Sequence, residues 1–230
     1  PAYLGDACMA EICEPTRKVT SKPILNAGNH TPETGLALIE AGHADFVLMG
    51  RPLIAEPHMA KKLMKDKRDE VRPCIRCNEE CIGRILNRLT KISCAVNPAT
   101  GFEKRFELVK TNDPKKVVIV GGGPGGMEAA RTAALIGHDV TLFEAAESLG
   151  GQLRSAATPP FKSQLRELVT WYTHQLEILN VKVDLNTMVT ADSSVLAEAD
   201  EIFVATGAVP LNVNIKGIEN TVDILQAHLD

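Results

Sequence analysis

The sequence predicts an α/β chain built on parallel sheet. Three observations carry this. Short apolar runs alternate with amphipathic stretches and end in glycine; one such run opens into G-x-G-x-x-G; and four cysteines lie between the two βα regions. Strand–helix–strand order implies parallel pairing, because the helix carries the chain back along the sheet. The cysteines are Cys74, Cys77, Cys81 and Cys94, spaced C-x2-C-x3-C-x12-C and followed by Ala95-Val96-Asn97-Pro98. Two disulfides would suit an oxidised secreted protein, but tight clusters in an intracellular chain more often hold metal. Zinc and iron–sulfur clusters both take four thiolates. A structural zinc site usually brings two C-x2-C pairs, whereas this three-plus-one spacing suits a cubane, whose corners need ligands from several directions. On spacing alone all these readings stay open.

The 230 residues are 44% hydrophobic and 23% charged, ordinary globular material for one to two domains. A net charge of -4 and a pI near 5.9 leave no basic footprint for nucleic acid. No apolar run approaches the roughly 20 residues that span a bilayer, and no signal peptide opens the chain. The expected compartment is therefore the cytoplasm, with no membrane partner. The chain begins at Pro1, without Met, in what reads as the middle of a fold; a fragment of a longer protein is expected.

In order, residues 6–20 predict a helix stopped near Pro15, with Cys8 and Cys13 as buried, unreactive thiols. Lys22 to Gly28 is a short strand running into glycine. Thr31-Pro32-Glu33 offers an N-cap, a proline at the first helical position and an acid in the first turn, and Gly42 ends that helix. Asp45–Gly50 is the next strand, and a helix over about Leu53–Lys65 follows. Ligands sit at strand C-termini in such folds. The amides of Gly28–Asn29 and Gly50–Arg51, with the Arg51 guanidinium, can grip a phosphate. Equally, the glycines can simply make turns and Arg51 can be a solvated charge.

Asn26-Ala27-Gly28-Asn29, then Ala44 to Pro57 with its Gly50-Arg51-Pro52-Leu53-Ile54-Ala55-Glu56-Pro57, resembles the last two βα units of the old yellow enzyme barrel. With the cysteine segment directly behind, the order resembles the iron–sulfur flavoenzyme branch: 2,4-dienoyl-CoA reductase, 2-enoate reductase, and trimethylamine or histamine dehydrogenase. The resemblance covers essentially the whole chain. It implies the C-terminal βα units of an FMN-binding TIM barrel at 1–70, with FMN phosphate at Gly28, Asn29, Gly50 and Arg51. It implies a [4Fe–4S] cluster on Cys74, Cys77, Cys81 and Cys94 at 71–99, a linker at 100–115, and an incomplete FAD-binding domain at 116–230.

Residues 116–130 support the last of these from their own pattern. A β-branched strand runs into Gly121, Gly123 and Gly126, with Pro124 at the helix start. Such glycines permit a tight turn, close backbone approach to pyrophosphate, and close helix–strand packing, with the pyrophosphate on the helix N-terminus. Asp139–Phe143 is a second strand ending in Glu144. An acid there accepts from ribose hydroxyls and repels a 2′-phosphate, so FAD or NAD fits. By resemblance, Gly150-Gly151-Gln152-Leu153-Arg154 is the turn passing the FAD pyrophosphate, with Gly151, Gln152 and Arg154 at the cofactor. Likewise Ala205-Thr206-Gly207 is a second flavin signature, and Val189 puts its backbone near the adenine. A helix from Gln164 to about Leu179 carries Trp171 and Tyr172 as core and His174 as surface; one or two short strands follow over 181–190.

The resemblance implies NAD(P)H as electron donor and an activated C=C bond in a small-molecule substrate as acceptor, with FAD, the cluster and FMN between them. The C-x2-C-x3-C spacing resembles the reductases more than the amine dehydrogenases, although the x12 gap is one longer than in dienoyl-CoA reductase. Two rivals remain: an amine dehydrogenase of the trimethylamine dehydrogenase type, and a non-catalytic zinc-stapled nucleotide-binding module. The catalytic proton donor is expected in the first six barrel strands, outside this chain. A quarter of a barrel exposes apolar sheet, so the remainder of the polypeptide, or self-association, is the expected partner.

Overall fold

The computed structural model describes residues 4–87, 89–211 and 216–229. The chain divides into two compact units, Pro1–Asp66 with Val71–Phe106, and Lys67–Glu70 with Glu107–Asp230.

In the first unit a 3-10 turn, Ala10–Ile12, leads into α1 (Cys13–Val19). The expected stop at Pro15 is corrected. Proline lies in the first turn, where its missing N–H is no loss, and the helix ends when Thr20 turns extended. Next come β1 (Leu25–Ala27), α2 (Pro32–Glu40) and β2 (Phe46–Leu48), with the strands parallel in the register Leu25↔Phe46, Asn26↔Val47, Ala27↔Leu48. Thr31 caps α2 in a reciprocal box with Thr34, the hydroxyl at N3 doing what an acid or amide usually does. Cys13, Ile24, Leu38 and Ala44 form the core beneath, joined by Ala10 and Val47. Cys8 is only half-buried, its thiol directed at the Gly28 carbonyl.

The helix expected over Leu53–Lys65 is two helices, α3 (Gly50–Ala55) and α4 (Met59–Leu63). Pro57 pushes Glu56 out of helical geometry, to φ -134 and ψ 88. The buried Glu56 carboxylate then turns inward and accepts from the His58 amide at 3.1 Å and from Lys62 Nζ at 2.5 Å. The cysteine segment contains one short helix, α5 (Ile82–Asn87). Of the stretch read as linker, Thr100 is buried, its hydroxyl donating to the Ile54 carbonyl, whereas residues 107–110 are exposed.

The second unit contains β3 (Lys116–Val120), α6 (Pro124–Ile136), β4 (Asp139–Phe143), α7 (Leu153–Ala156), α8 (Ser163–Ile178), β5 (Lys182–Asp184), β6 (Glu201–Val204) and α9 (Ile224–Leu229). Its sheet is parallel, in the order β5-β4-β3-β6. Val117, Ile119 and Leu142 are buried, with α6 packed against β3 and β4 and α8 against α6. Val118, Val120 and Phe143 form a cluster with Val189, Val195, Leu196 and Ala199. The chain leaves β3 through α6 to β4 on one side, while β6 pairs on the other. Such a switch point opens a crevice at the strand C-termini.

Over 181–190 there is one strand. Beyond it Asn186 turns left-handed, and the Asn186 and Thr187 amides donate to the Ala146 and Glu144 carbonyls instead of to a ladder. Trp171 and Tyr172 are core, edge to face at 4.9 Å between centroids, and Trp171 Nε1 donates to the Glu70 carbonyl. His174 is half-buried rather than a free surface side chain, with Nε2 2.9 Å from Asp69. Among the described residues no helix is long and apolar enough to cross a membrane.

Candidate cofactor sites

At the C-terminal end of β3 the backbone turns into α6 through Gly121, whose φ of +109 suits glycine. A Cβ on Gly126 would lie 1.8 Å from the Gly121 carbonyl oxygen, so only glycine lets the helix close on the turn. A Cβ on Gly123 would meet nothing within 4 Å, leaving open space in front of the first turn of α6. The N–H groups of that turn have no helical partner, and an anion can satisfy them. Pro124 starts the helix without losing a donor.

Glu144, at the end of β4, accepts from the Gly122 amide at 2.6 Å and the Ala146 amide at 2.8 Å. Each oxygen is thus anchored by one donor and keeps a further lone pair for a hydroxyl. Gly151 lies against Gly123, and the Gly150 amide donates to the Gly122 carbonyl, so this turn sits over the glycine loop. Gln152 Nε2 donates to the Ala208 carbonyl at 2.5 Å and ties the turn to the segment leaving β6. There Ala205 donates to the Val120 carbonyl, Thr206 is exposed, and Gly207 is left-handed with open space at its Cβ position. Gly121, Gly123, Gly126, Glu144, Gly151, Gln152, Thr206 and Gly207 therefore gather at one end of one sheet. Arg154 lies 3.5 Å from Glu147, and the Val189 side chain packs against the cluster of Val118, Val120 and Phe143.

The second site lies in the first unit. Cys74, Cys77, Cys81 and Cys94 line one cavity, with Arg51, Asn78 and Glu80 among its walls and Ile54, Ile75 and Val96 supplying apolar cover. All six cysteines of the chain are free thiols. Around a single zinc ion four thiolates sit about 2.3 Å from one centre. Among the described residues no three His, Cys, Asp or Glu side chains gather as tightly as one ion requires. The four thiols line this one cavity, and thiolates can serve either kind of centre. Burial pushes the Cys74 thiol up from its ordinary value, opposed by an N–H from Arg76 and by the Arg51 guanidinium. A bound metal centre removes that proton outright.

Arg51 Nη1 donates to Asn78 Oδ1 at 2.6 Å and Nη2 to Asn29 Oδ1 at 2.5 Å. Both asparagines are left-handed, at φ 59 and 62. The loop of Gly28 and Asn29 is clipped in turn, its carbonyls accepting from the Cys8 and Ala7 amides. Gly50 starts α3, and a Cβ there would meet nothing within 4 Å. Asn78 and Arg76 are site residues that the spacing argument missed. The available signal was Asn78 itself, directly after Cys77, since asparagine is enriched in left-handed backbone.

Fold and glycine loop together define a Rossmann-like domain. Residues 115–230 match the Pyridine nucleotide-disulphide oxidoreductase family, and the chain belongs to it. It is 44% identical over 220 residues to a cinnamate reductase of Clostridium sporogenes, covering 95% of this chain and 33% of that protein. It is 39% identical over 223 residues to an NADH oxidase of Thermoanaerobacter brockii, covering 95% and 34%. The solved structure of a 2-naphthoyl-CoA reductase superposes on 99% of this chain and 35% of its own with a TM-score of 0.94, at 31% identity. The chain thus spans about a third of the length of the curated relatives it matches. Its kinship with the flavoenzymes of the old yellow enzyme and trimethylamine dehydrogenase branch is shown by these matches.

Proposed function

We propose that this chain is the electron-relay part of an ene-reductase-type flavoenzyme. FAD lies at Gly121–Gly126 and Glu144, a [4Fe–4S] cluster on Cys74, Cys77, Cys81 and Cys94, and FMN phosphate near Gly28–Asn29 and Gly50–Arg51, in the last βα units of a barrel. NAD(P)H is the donor and an activated C=C bond the acceptor. The observation that carries the reading is the single cavity lined by all four thiols, in the same chain as the dinucleotide cradle. When bound, such groups let a two-electron donor and a distant two-electron acceptor exchange electrons singly.

The protein's own contribution is placement. The first turn of α6 offers unpaired N–H groups to a pyrophosphate, and Glu144 offers a lone pair to a ribose hydroxyl. Gln152 holds the two loops over the crevice in register. Ile54, Ile75 and Val96 give the cysteine cavity apolar walls, with Cys77 at its exposed side, and the Arg76 backbone gives an N–H to the Cys74 sulfur. Similarity to a cinnamate reductase and a 2-naphthoyl-CoA reductase supports an enoyl-type acceptor.

Anaerobic purification with iron, sulfide, zinc and flavin analysis tests the reading. About four iron and four sulfide per chain, with released FAD and FMN, are expected. One zinc without iron or flavin would leave only the nucleotide-binding fold. Bleaching of the bound flavin by an amine but not by NAD(P)H would move the protein to the dehydrogenases.

A further inference from the structure

We propose that Arg51 is a positioning residue for electron transfer: held between Asn29 and Asn78, its guanidinium raises the reduction potential of the group bound in the cysteine cavity. The inference rests on the cluster reading above and goes beyond any phosphate contact of the same side chain.

Arg51 is placed from two sides. One terminal nitrogen donates to Asn78, the residue after Cys77, and the other to Asn29, at the end of β1. Each asparagine occupies a left-handed conformation, so the two loops present their amide oxygens at set positions. A solvated arginine would leave its fork in water; here both arms are engaged, and the residue lines the cavity with all four thiols.

Charge then decides what the arrangement does. The two partners of Arg51 are neutral amides, so they fix the cation without cancelling it. Glu80, the carboxylate on the same cavity, is offset by Arg84 at 2.8 Å and takes a hydroxyl hydrogen bond from Ser93 at 3.1 Å. Reduction adds one electron and no proton to a thiolate-bound cluster, so a cation in its wall favours the reduced form. Net charge, hydrogen bonds to sulfur and exposure are the levers that set such potentials.

The test is an EPR-monitored titration of the anaerobically purified protein with dithionite and mediators, with iron and flavin measured on every sample. Arg51→Gln is expected to lower the midpoint potential, and Arg51→Lys, which restores the charge, to recover most of it. Asn78→Gly keeps the left-handed backbone but frees the fork from the cysteine loop; a smaller shift in the same direction is expected. A wild-type midpoint in Arg51→Gln with full iron overturns the inference while leaving the relay intact. If Arg51→Gln loads no iron, Asn78→Gly decides by the same criterion. Wild-type protein without iron would remove the cluster reading and this inference together.

Discussion

The chain uses the strand–helix–strand motif twice, and the two copies are finished differently. In β3-α6-β4 the strand residues Ile119 and Leu142 are fully enclosed, and α6 rests on a glycine turn that admits no Cβ. In β1-α2-β2 the strand residues Leu25, Phe46 and Leu48 are 55%, 56% and 52% exposed, and Gly50 has open space around it. The same βα pattern thus yields a sealed half-sheet in one place and an apolar sheet open on one side in the other. Periodicity announces a parallel strand, but burial depends on whether other parts of the protein cover it.

Substitutions in matched positions sharpen this contrast. Gly126→Ala brings a Cβ into the Gly121 carbonyl and should destabilise the second unit by about 3–5 kcal/mol. The check is the urea midpoint together with nucleotide binding, and near-wild-type values for both would contradict the turn geometry. Leu142→Ala leaves a cavity in a closed core and should cost about 3 kcal/mol. The partner change Leu48→Ala, on the open face, should cost less than about 1 kcal/mol in this chain. Equal losses would mean that Leu48 is covered in solution.

A pH experiment separates the units further. His30 is 2% exposed, with Nε2 2.6 Å from Asn26 Oδ1, and burial holds its pKa below the ordinary 6.5. The unfolded chain therefore takes up the proton first as pH falls. Stability of the first unit should decline below about pH 6.5, by at most about 1.4 kcal/mol per pH unit, and stay level in this respect above it. Comparing urea midpoints of wild type and His30→Gln from pH 5 to 8 isolates the contribution, and parallel profiles would rule it out. The smallest effect belongs to Gly50→Ala, within about 0.5 kcal/mol of wild type, where a large loss would mean that something covers the start of α3.

Local chemistry made some elements legible. Thr31-Pro32 announced α2, because an N-cap hydroxyl and a proline at N1 act within one turn. The glycine loop announced β3-α6 for the same kind of reason, each glycine answering to a neighbour a few residues away. The split between α3 and α4 was written at Pro57, but the hydrophobic period continues across it and masked the break. Pro15 misled in the opposite direction, since proline stops a helix interior yet suits a first turn.

By itself the sequence determined the parallel α/β class, the glycine turn of Gly121–Gly126 beside Glu144, and the candidacy of four thiols for a shared centre. These rest on interactions within a turn or between neighbouring elements, where spacing is geometry. Only the tertiary structure decided which charges meet which sites. Arg51 reaches Asn78 across 27 residues and Asn29 across 22, and Glu80 finds Ser93 across 13. Glu56 turns inward rather than to solvent, and the Val189 side chain packs against the cluster of Val118, Val120 and Phe143. Hydrogen bonds of that reach depend on loop backbones set by packing, and no local pattern records them.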